Sequence, residues 1–157
     1  KKVKIDDKDY SAPEISAMIG TSDLMEIVEI VNELASEKTE KYIQKISEKP
    51  EYIYPENVER QQITMGASSY IKIADGCNYH CGYCIIPNLR GVYHSRSMEN
   101  IVEEAKSLVK KGVTEIDLIA QDTTSYGIDI YGKTSLAKLL EELNKIEGLS
   151  WIRIMYL

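Results

Sequence analysis

No stretch of this 157-residue sequence is apolar for long enough to cross a bilayer; its fully apolar runs last only a few residues. That excludes a hydrophobic helical span, and no membrane partner is expected. No secretory signal is expected from the residues at hand, since the first of them, KKVKIDDKDY, are charged and have no apolar segment behind them. Basic residues are not in excess: 19 Lys and Arg stand against 25 Asp and Glu, for a formal net charge of −6. Dedicated nucleic-acid binders draw affinity from neutralising phosphates and usually carry the opposite balance, so the composition counts against that class. Cysteine is scarce, with three residues in all, and every one falls between Cys77 and Cys84. Such clustering is not a disulfide framework and points to a reducing, cytoplasmic setting. The sequence also starts without Met and stops at WIRIMYL, in what reads as a strand, as expected of a fragment of something longer.

What is present is an ordinary globular mixture, 43% hydrophobic and 28% charged, enough for one domain or parts of two. From Ser16 to Lys38 the order reads strand, turn, helix. SAMIG is a short apolar run ending at Gly20. Thr21 or Ser22 can cap a helix with Leu24, Ile27, Val28, Val31 and Leu34 on one face and Asp23 near its positive end. The charged stretch from Glu37 to Ser69 carries Pro50 and Pro55, has no sustained period and reads as a connection between domains, with a short helix near Tyr42 to Ser47. Residues 1–50 are therefore assigned to a first domain with the start of a linker, 51–69 to the linker, and 70–157 to a second domain.

After Ser69 the chain alternates. SYIKIA is a strand candidate and leads into the cysteine loop. Ser97 caps a helix with Ile101, Val102, Ala105, Leu108 and Val109 inward, and Gly112 stops it. EIDLIA is the second strand. A helix with Leu136, Leu139, Leu140, Leu143 and Ile146 on one stripe follows, ended by Gly148, and WIRIMYL is the third strand. Strands alternating with helices imply an α/β fold with a parallel sheet. Ligand sites in such folds gather beyond the carboxyl ends of the strands, where the cysteine loop and QDTTSYG both fall.

Cys77, Cys81 and Cys84 have the spacing Cys-x3-Cys-x2-Cys, with Gly76 and Gly82 placed where the loop must bend. Thiolates favour zinc or iron–sulfur clusters. A closed zinc site needs a fourth ligand, for which His80 and His94 are the candidates. A four-iron cluster on three cysteines leaves one iron open to a non-protein ligand. Spacing alone leaves cluster, zinc and unrelated buried thiols all open.

CNYHCGYC, with an aromatic before its last cysteine and a strand of a β/α repeat before it, resembles the radical S-adenosylmethionine superfamily. The likeness extends from Tyr70 to Gly127, which is similar to the central domain of the methylthiotransferases. IAQDTTSYG resembles the branch that modifies an aspartate of a small-subunit ribosomal protein, and APEISAMIGTSD is similar to the end of the family's amino-terminal domain. The resemblance implies a partial radical-SAM (β/α) barrel preceded by the tail of that α/β domain. It implies that Cys77, Cys81 and Cys84 hold a [4Fe–4S] cluster whose open iron is chelated by S-adenosylmethionine. Reduction of the sulfonium would then release a 5′-deoxyadenosyl radical that takes hydrogen from the β-carbon of the target aspartate. Tyr83 would lie near the adenine, and Gln121 and Asp122 near the methionine part of the cofactor. Arg90 and Arg96 are candidate anion contacts, with solvated surface charge as the alternative. An electron donor is a further implied partner. A second [4Fe–4S] cluster is expected only in a full-length parent, since no cysteine remains here to hold it, and the fragment alone is not expected to turn over. The tRNA-adenosine branch of the family is the alternative, disfavoured by QDTT and by the acidic balance; a structural zinc module is the second alternative.

Overall fold

A short antiparallel hairpin, Lys2–Ile5 (β1) with Lys8–Ser11 (β2), comes first in the computed structural model, which describes residues 2–5, 8–11, 15–36, 42–47 and 66–157. The chain divides into two units, Lys1–Glu51 and Tyr52–Leu157. In the first, Ala17–Ile19 (β3) extends as the apolar run suggests, a single 3-10 turn covers Leu24–Glu26, and Ile27–Ala35 forms helix α1. Neither Thr21 nor Ser22 caps it: the residue before the turn is Asp23, whose carboxylate accepts hydrogen bonds from the Ser47 backbone N–H at 2.9 Å and the Ser47 hydroxyl at 2.6 Å.

Two further expectations for this unit are corrected. The short helix placed near Tyr42 to Ser47 is instead a strand, Ile43–Lys45 (β4), paired parallel with β3 from Ala17↔Ile43 to Ile19↔Lys45. Three residues have no period to read, and only the distant partner strand makes them extended. The apolar stripe of α1 is also not inward. Leu24, Ile27, Val28 and Val31 are exposed, Leu34 is half-buried, and Ile30 is the buried residue of the helix. Two paired strands of three residues offer too little surface to cover a whole helical stripe.

The second unit is built on a three-stranded parallel sheet. Ser68–Lys72 (β5) begins it, two residues into the stretch assigned to the linker. The bridge Ala74–Asp75 (β6), the short helix Ile86–Arg90 (α2) and the bridge His94–Ser95 (β7) follow, then the long helix Met98–Lys110 (α3). Glu115–Ile119 (β8), the single turn Ile128–Tyr131 (α4), Leu136–Leu143 (α5) and Trp151–Ile154 (β9) complete it. The order in the sheet is β5-β8-β9, with β5 parallel to β8 in register Ser68↔Glu115 and β8 parallel to β9 in register Glu115↔Trp151. Each parallel step is made by a crossover that includes a helix, which is the partial β/α architecture expected from the alternation.

Side-chain alternation explains how this sheet packs. Ser69, Ile71 and Ile73 on the β5 run, and Ile116, Leu118 and Ala120 on the β8 run, are buried together with Ile101, Ala105 and Leu108 of α3 and Leu139 and Leu143 of α5. On the opposite face Tyr70, Trp151 and Arg153 remain open to solvent, with Arg153 lying over the Trp151 ring at 5.5 Å and paired with Glu115. Ser97 caps α3 as expected, its hydroxyl accepting from the Asn100 N–H at 3.3 Å, and the chain turns left-handed at Gly112 beyond it. Helix α5 ends at Leu143, five residues before Gly148, so that glycine is not its direct stop. Among the described residues no helix is long and apolar enough to cross a membrane.

Candidate functional site

Residues 76–91 leave the carboxyl end of the β5 run as a loop and return beside their starting point, so the three thiols hang from a closed neck. Antiparallel pairing of Ala74 with Ser95 and of Asp75 with His94 brings the two sides together. Above it, the Cys77 N–H donates to the Gly91 carbonyl at 3.2 Å and the Tyr93 N–H donates to Asn78 Oδ1 at 2.9 Å. Gly76 has φ +73°, and a β-carbon there would lie 2.1 Å from the Val92 carbonyl oxygen, so the neck closes only on glycine. Gly82 behaves differently. It does not take positive φ and a β-carbon would meet nothing within 4 Å, so the tip makes no steric demand for it.

Cys77 and Cys84 are half-buried, Cys81 is exposed, and none is in a disulfide. The Tyr79 N–H donates to Cys77 Sγ at 3.4 Å, and the Cys84 N–H donates to the Cys81 carbonyl at 3.0 Å across a turn through Gly82 and Tyr83. Among the described residues no three His, Cys, Asp or Glu side chains stand together as a ready-made metal site. Three unpaired thiols on one loop, with a backbone N–H aimed at one sulfur, nonetheless fit the donor set of a thiolate-held cluster, which the loop would close upon as it binds. Of the two candidate fourth ligands for zinc, His80 is exposed and His94 Nδ1 lies 3.8 Å from Asp129 Oδ2.

The loop that follows β8 meets this neck from the other side. Tyr93, buried at the exit of the cysteine loop, donates its hydroxyl hydrogen bond to the Asp122 carbonyl at 2.7 Å. Burial, and secondarily the Asp122 charge, push the Tyr93 phenol well above its ordinary pKa, so it stays a proton donor. The Gly127 N–H donates to Ser95 Oγ at 3.0 Å, Tyr126 donates to the Arg96 carbonyl at 2.9 Å, and the Ser95 N–H donates to Asp129 Oδ2 at 2.8 Å. Fully buried Thr123 ties the same loop to the end of β9 through the Met155 and Tyr156 carbonyls, at 3.0 and 2.9 Å. One rim therefore carries the cysteine loop, the QDTTSYG loop and the exit of β9.

Each residue expected at the site has a distinct environment. Tyr83 is 95% exposed at the loop tip and packs against nothing that would hold its ring. Gln121 Oε1 is enclosed and accepts no hydrogen bond, an orphaned acceptor at the carboxyl end of β8 that fits an ammonium or hydroxyl donor. Asp122 is buried and its carboxylate serves its own loop, accepting from the Thr124 N–H at 3.0 Å and from the Thr124 and Ser125 hydroxyls. Arg90 is partly exposed, with Nη1 3.6 Å from Asp75 Oδ2. Arg96 is neither a free anion contact nor a surface charge. Buried to 8% exposure, it donates to the Lys72 carbonyl at 2.7 Å and to Asn100, and pairs with Glu104 at 2.7 Å.

Asp122 sets one pH-dependent expectation. Burial opposes its ionisation, but hydrogen bonds from Ser125 and Thr124 outweigh burial and hold its carboxyl below the ordinary range. A depressed folded-state pKa contributes stability above the unfolded value of about 3.9 and loses it as pH falls through the folded value. Asp122→Asn should therefore lower Tm at neutral pH and flatten the acid limb of Tm against pH, measured by calorimetry. Asp75, Tyr93 and Thr123 are the residues that sequence reasoning missed. The one local hint was an aspartate placed immediately before the neck glycine in IADGC.

Comparison with known proteins bears on this geometry. Residues 71–157 match the radical SAM superfamily. The ribosomal protein uS12 methylthiotransferase RimO of Caldanaerobacter subterraneus subsp. tengcongensis is 49% identical over 144 residues, which is 92% of this chain and 32% of that protein. The protein of the same name from Clostridioides difficile is 46% identical over 144 residues, again 92% and 32%, and one from Prochlorococcus marinus strain MIT 9215 is 50% identical over 144 residues, 92% and 31%. The chain thus spans about a third of the length of the curated relatives it matches.

Proposed function

Because the chain belongs to the radical SAM superfamily, we propose that it is part of a methylthiotransferase that modifies the β-carbon of an aspartate in a small-subunit ribosomal protein. The observation that carries this reading is the loop of three unpaired thiols at the rim of a β/α sheet, in a chain whose relatives at 46–50% identity are named for action on uS12. Cys77, Cys81 and Cys84 would hold the [4Fe–4S] cluster, and Gln121 would receive the amino group of S-adenosylmethionine on its unpaired Oε1. When bound, the cluster and S-adenosylmethionine supply one-electron cleavage of a carbon–sulfur bond, and with it a radical strong enough to take hydrogen from an unactivated carbon.

The remaining work belongs to the chain's own side chains. Asp122 keeps the loop after β8 in one shape through its hydrogen bonds to Thr124 and Ser125, and Tyr93 sets the spacing between that loop and the thiols. Tyr83, exposed at the loop tip, would lie near the adenine, as the family resemblance implies. Residues 1–50 would close an amino-terminal domain whose second cluster uses cysteines beyond this sequence, and residues 70–157 would be the first half of the barrel, with 51–69 between them. An electron donor is required, and a ribosomal substrate places the enzyme in the cytoplasm.

The test offers uS12 and unmodified tRNA separately to a protein that carries this chain at the length of its relatives, with reductant and S-adenosylmethionine and without oxygen. Mass spectrometry should find one methylthio group on a uS12 aspartate. Modification confined to tRNA adenosine would overturn the substrate assignment and favour the other branch.

A further inference from the structure

The cysteine loop brings almost no apolar burial of its own. Tyr79, Tyr83, Ile85, Leu89 and Val92 are each more than half exposed, so hydrophobic packing does not hold the thiols in place. What anchors the loop is polar and sits at its neck. There the buried Asp75, 3% exposed, reaches both sides. Its Oδ1 accepts from the Gly76 N–H at 3.0 Å, and its Oδ2 lies 2.8 Å from Lys72 Nζ on β5 and 3.6 Å from Arg90 Nη1 at the end of α2. One carboxylate thereby links the sheet, the residue before the first cysteine, and the helix after the last.

We propose that Asp75, with Lys72 and Arg90, is a charge lock that positions the three cysteines by holding the neck of their loop closed. The proposal rests on the reading that Cys77, Cys81 and Cys84 hold a cluster, and it adds residues that touch neither sulfur nor cofactor. A buried carboxylate is favourable only while its cations stay in place, so loss of either side of the pair is felt by the whole neck. The other ties across the neck are the pairing of Ala74 with Ser95 and of Asp75 with His94, and two single hydrogen bonds, Cys77 N–H to Gly91 and Tyr93 N–H to Asn78. In the proposed lock, the ion pairs hold the spacing at which these bonds form. Removing Arg90 or neutralising Asp75 therefore frees the two strands of the neck to separate while leaving the core of α3, α5 and the sheet untouched.

The test compares Asp75→Asn and Arg90→Gln with the parent protein, first without metal and then reconstituted. In the metal-free proteins, amide exchange at Cys77 and Tyr93 and alkylation of the thiols should both accelerate by about tenfold or more in each variant. Amides in the core of α3 and β8 should exchange at the parent rate. In the reconstituted proteins, iron should leave to a chelator faster by a similar factor, and the double variant should be little worse than either single one. Arg90→Gln decides the matter should Asp75→Asn unfold, because Arg90 is partly exposed and outside the core. Unchanged neck exchange and alkylation in both variants would overturn the lock. Faster exchange with unchanged iron release would overturn its positioning role. A parent protein that takes up no cluster would refute the cluster reading, while the metal-free rates would still decide the lock.

Discussion

Replacing any one of Cys77, Cys81 and Cys84 with Ser is expected to abolish stable iron–sulfur loading, and with it every activity that depends on the cluster. A serine hydroxyl is a hard, weakly acidic donor where the metal prefers thiolate, and three ligands leave no redundancy. The loss should exceed the roughly ten- to hundredfold that changes outside the ligand sphere cost in affinity. The fold should not suffer. Cys81 is exposed and the other two are half-buried, so metal-free variants should keep the parent stability within about 0.5 kcal/mol. His80→Ala is the companion variant, expected to load iron and sulfide as the parent does. Iron and sulfide content per chain, beside a thermal melt of each metal-free protein, checks both. A zinc site completed by histidine would reverse the pattern, with His80→Ala losing metal.

Gly76→Ala is expected to have the next largest effect. At φ +73° a non-glycine residue costs about 1–2 kcal/mol for its backbone alone. The added methyl would also stand 2.1 Å from the Val92 carbonyl oxygen and 2.8 Å from that of Gly91. Both obstacles are backbone, so no rotamer change relieves them and the neck must open. Cys77 would lose its bond to Gly91, and the register between Asp75 and His94 would slip. The variant should lose cluster loading while α3, β8 and α5 stay folded, visible as fast amide exchange confined to residues near the neck. Gly82→Ala makes the contrast: its surroundings are open, and it should load normally.

These two glycines show what local sequence carries and what it does not. Both sit in the same short motif, and composition gives no reason to separate them; only the return of residues 91 and 92 against residue 76 does. The parallel sheet, α3 and α5 were legible because periodic burial is written into neighbouring residues: Ile71 and Ile73 alternate, and Ile101, Ala105 and Leu108 recur on one helical face. The Ser97 cap was legible for the same local reason. Helix α1 has an equally clear stripe, yet Leu24, Ile27, Val28 and Val31 are exposed, because a stripe says that a face can be buried and not what covers it. Strand β4 was misread as a helix because its identity comes from β3, more than twenty residues away.

Charge was the least legible property. Arg96 looked like an anion contact or a solvated side chain, and it is a buried brace between the Lys72 carbonyl, Asn100 and Glu104. Asp75 attracted no attention in the sequence and is the most connected carboxylate at the neck. One partner of Arg96, the Lys72 carbonyl, lies 24 residues away. Its other partners and those of Asp75 are nearer in the chain, but the sequence offers several charges at similar spacing and does not say which of them the fold brings into contact. The thiols were legible because their spacing is itself the signal.

The central claim is that these three thiols hold a cluster with one iron open to S-adenosylmethionine. Its most direct test is the electron paramagnetic resonance spectrum of the reconstituted, reduced protein, recorded without oxygen before and after S-adenosylmethionine is added, on a protein that carries this chain at the length of its relatives and with any other cluster's cysteines replaced. A [4Fe–4S] signal that shifts when the cofactor is added is the expected result. A protein that binds zinc and no cluster, or a cluster whose signal is the same with and without the cofactor, would contradict it.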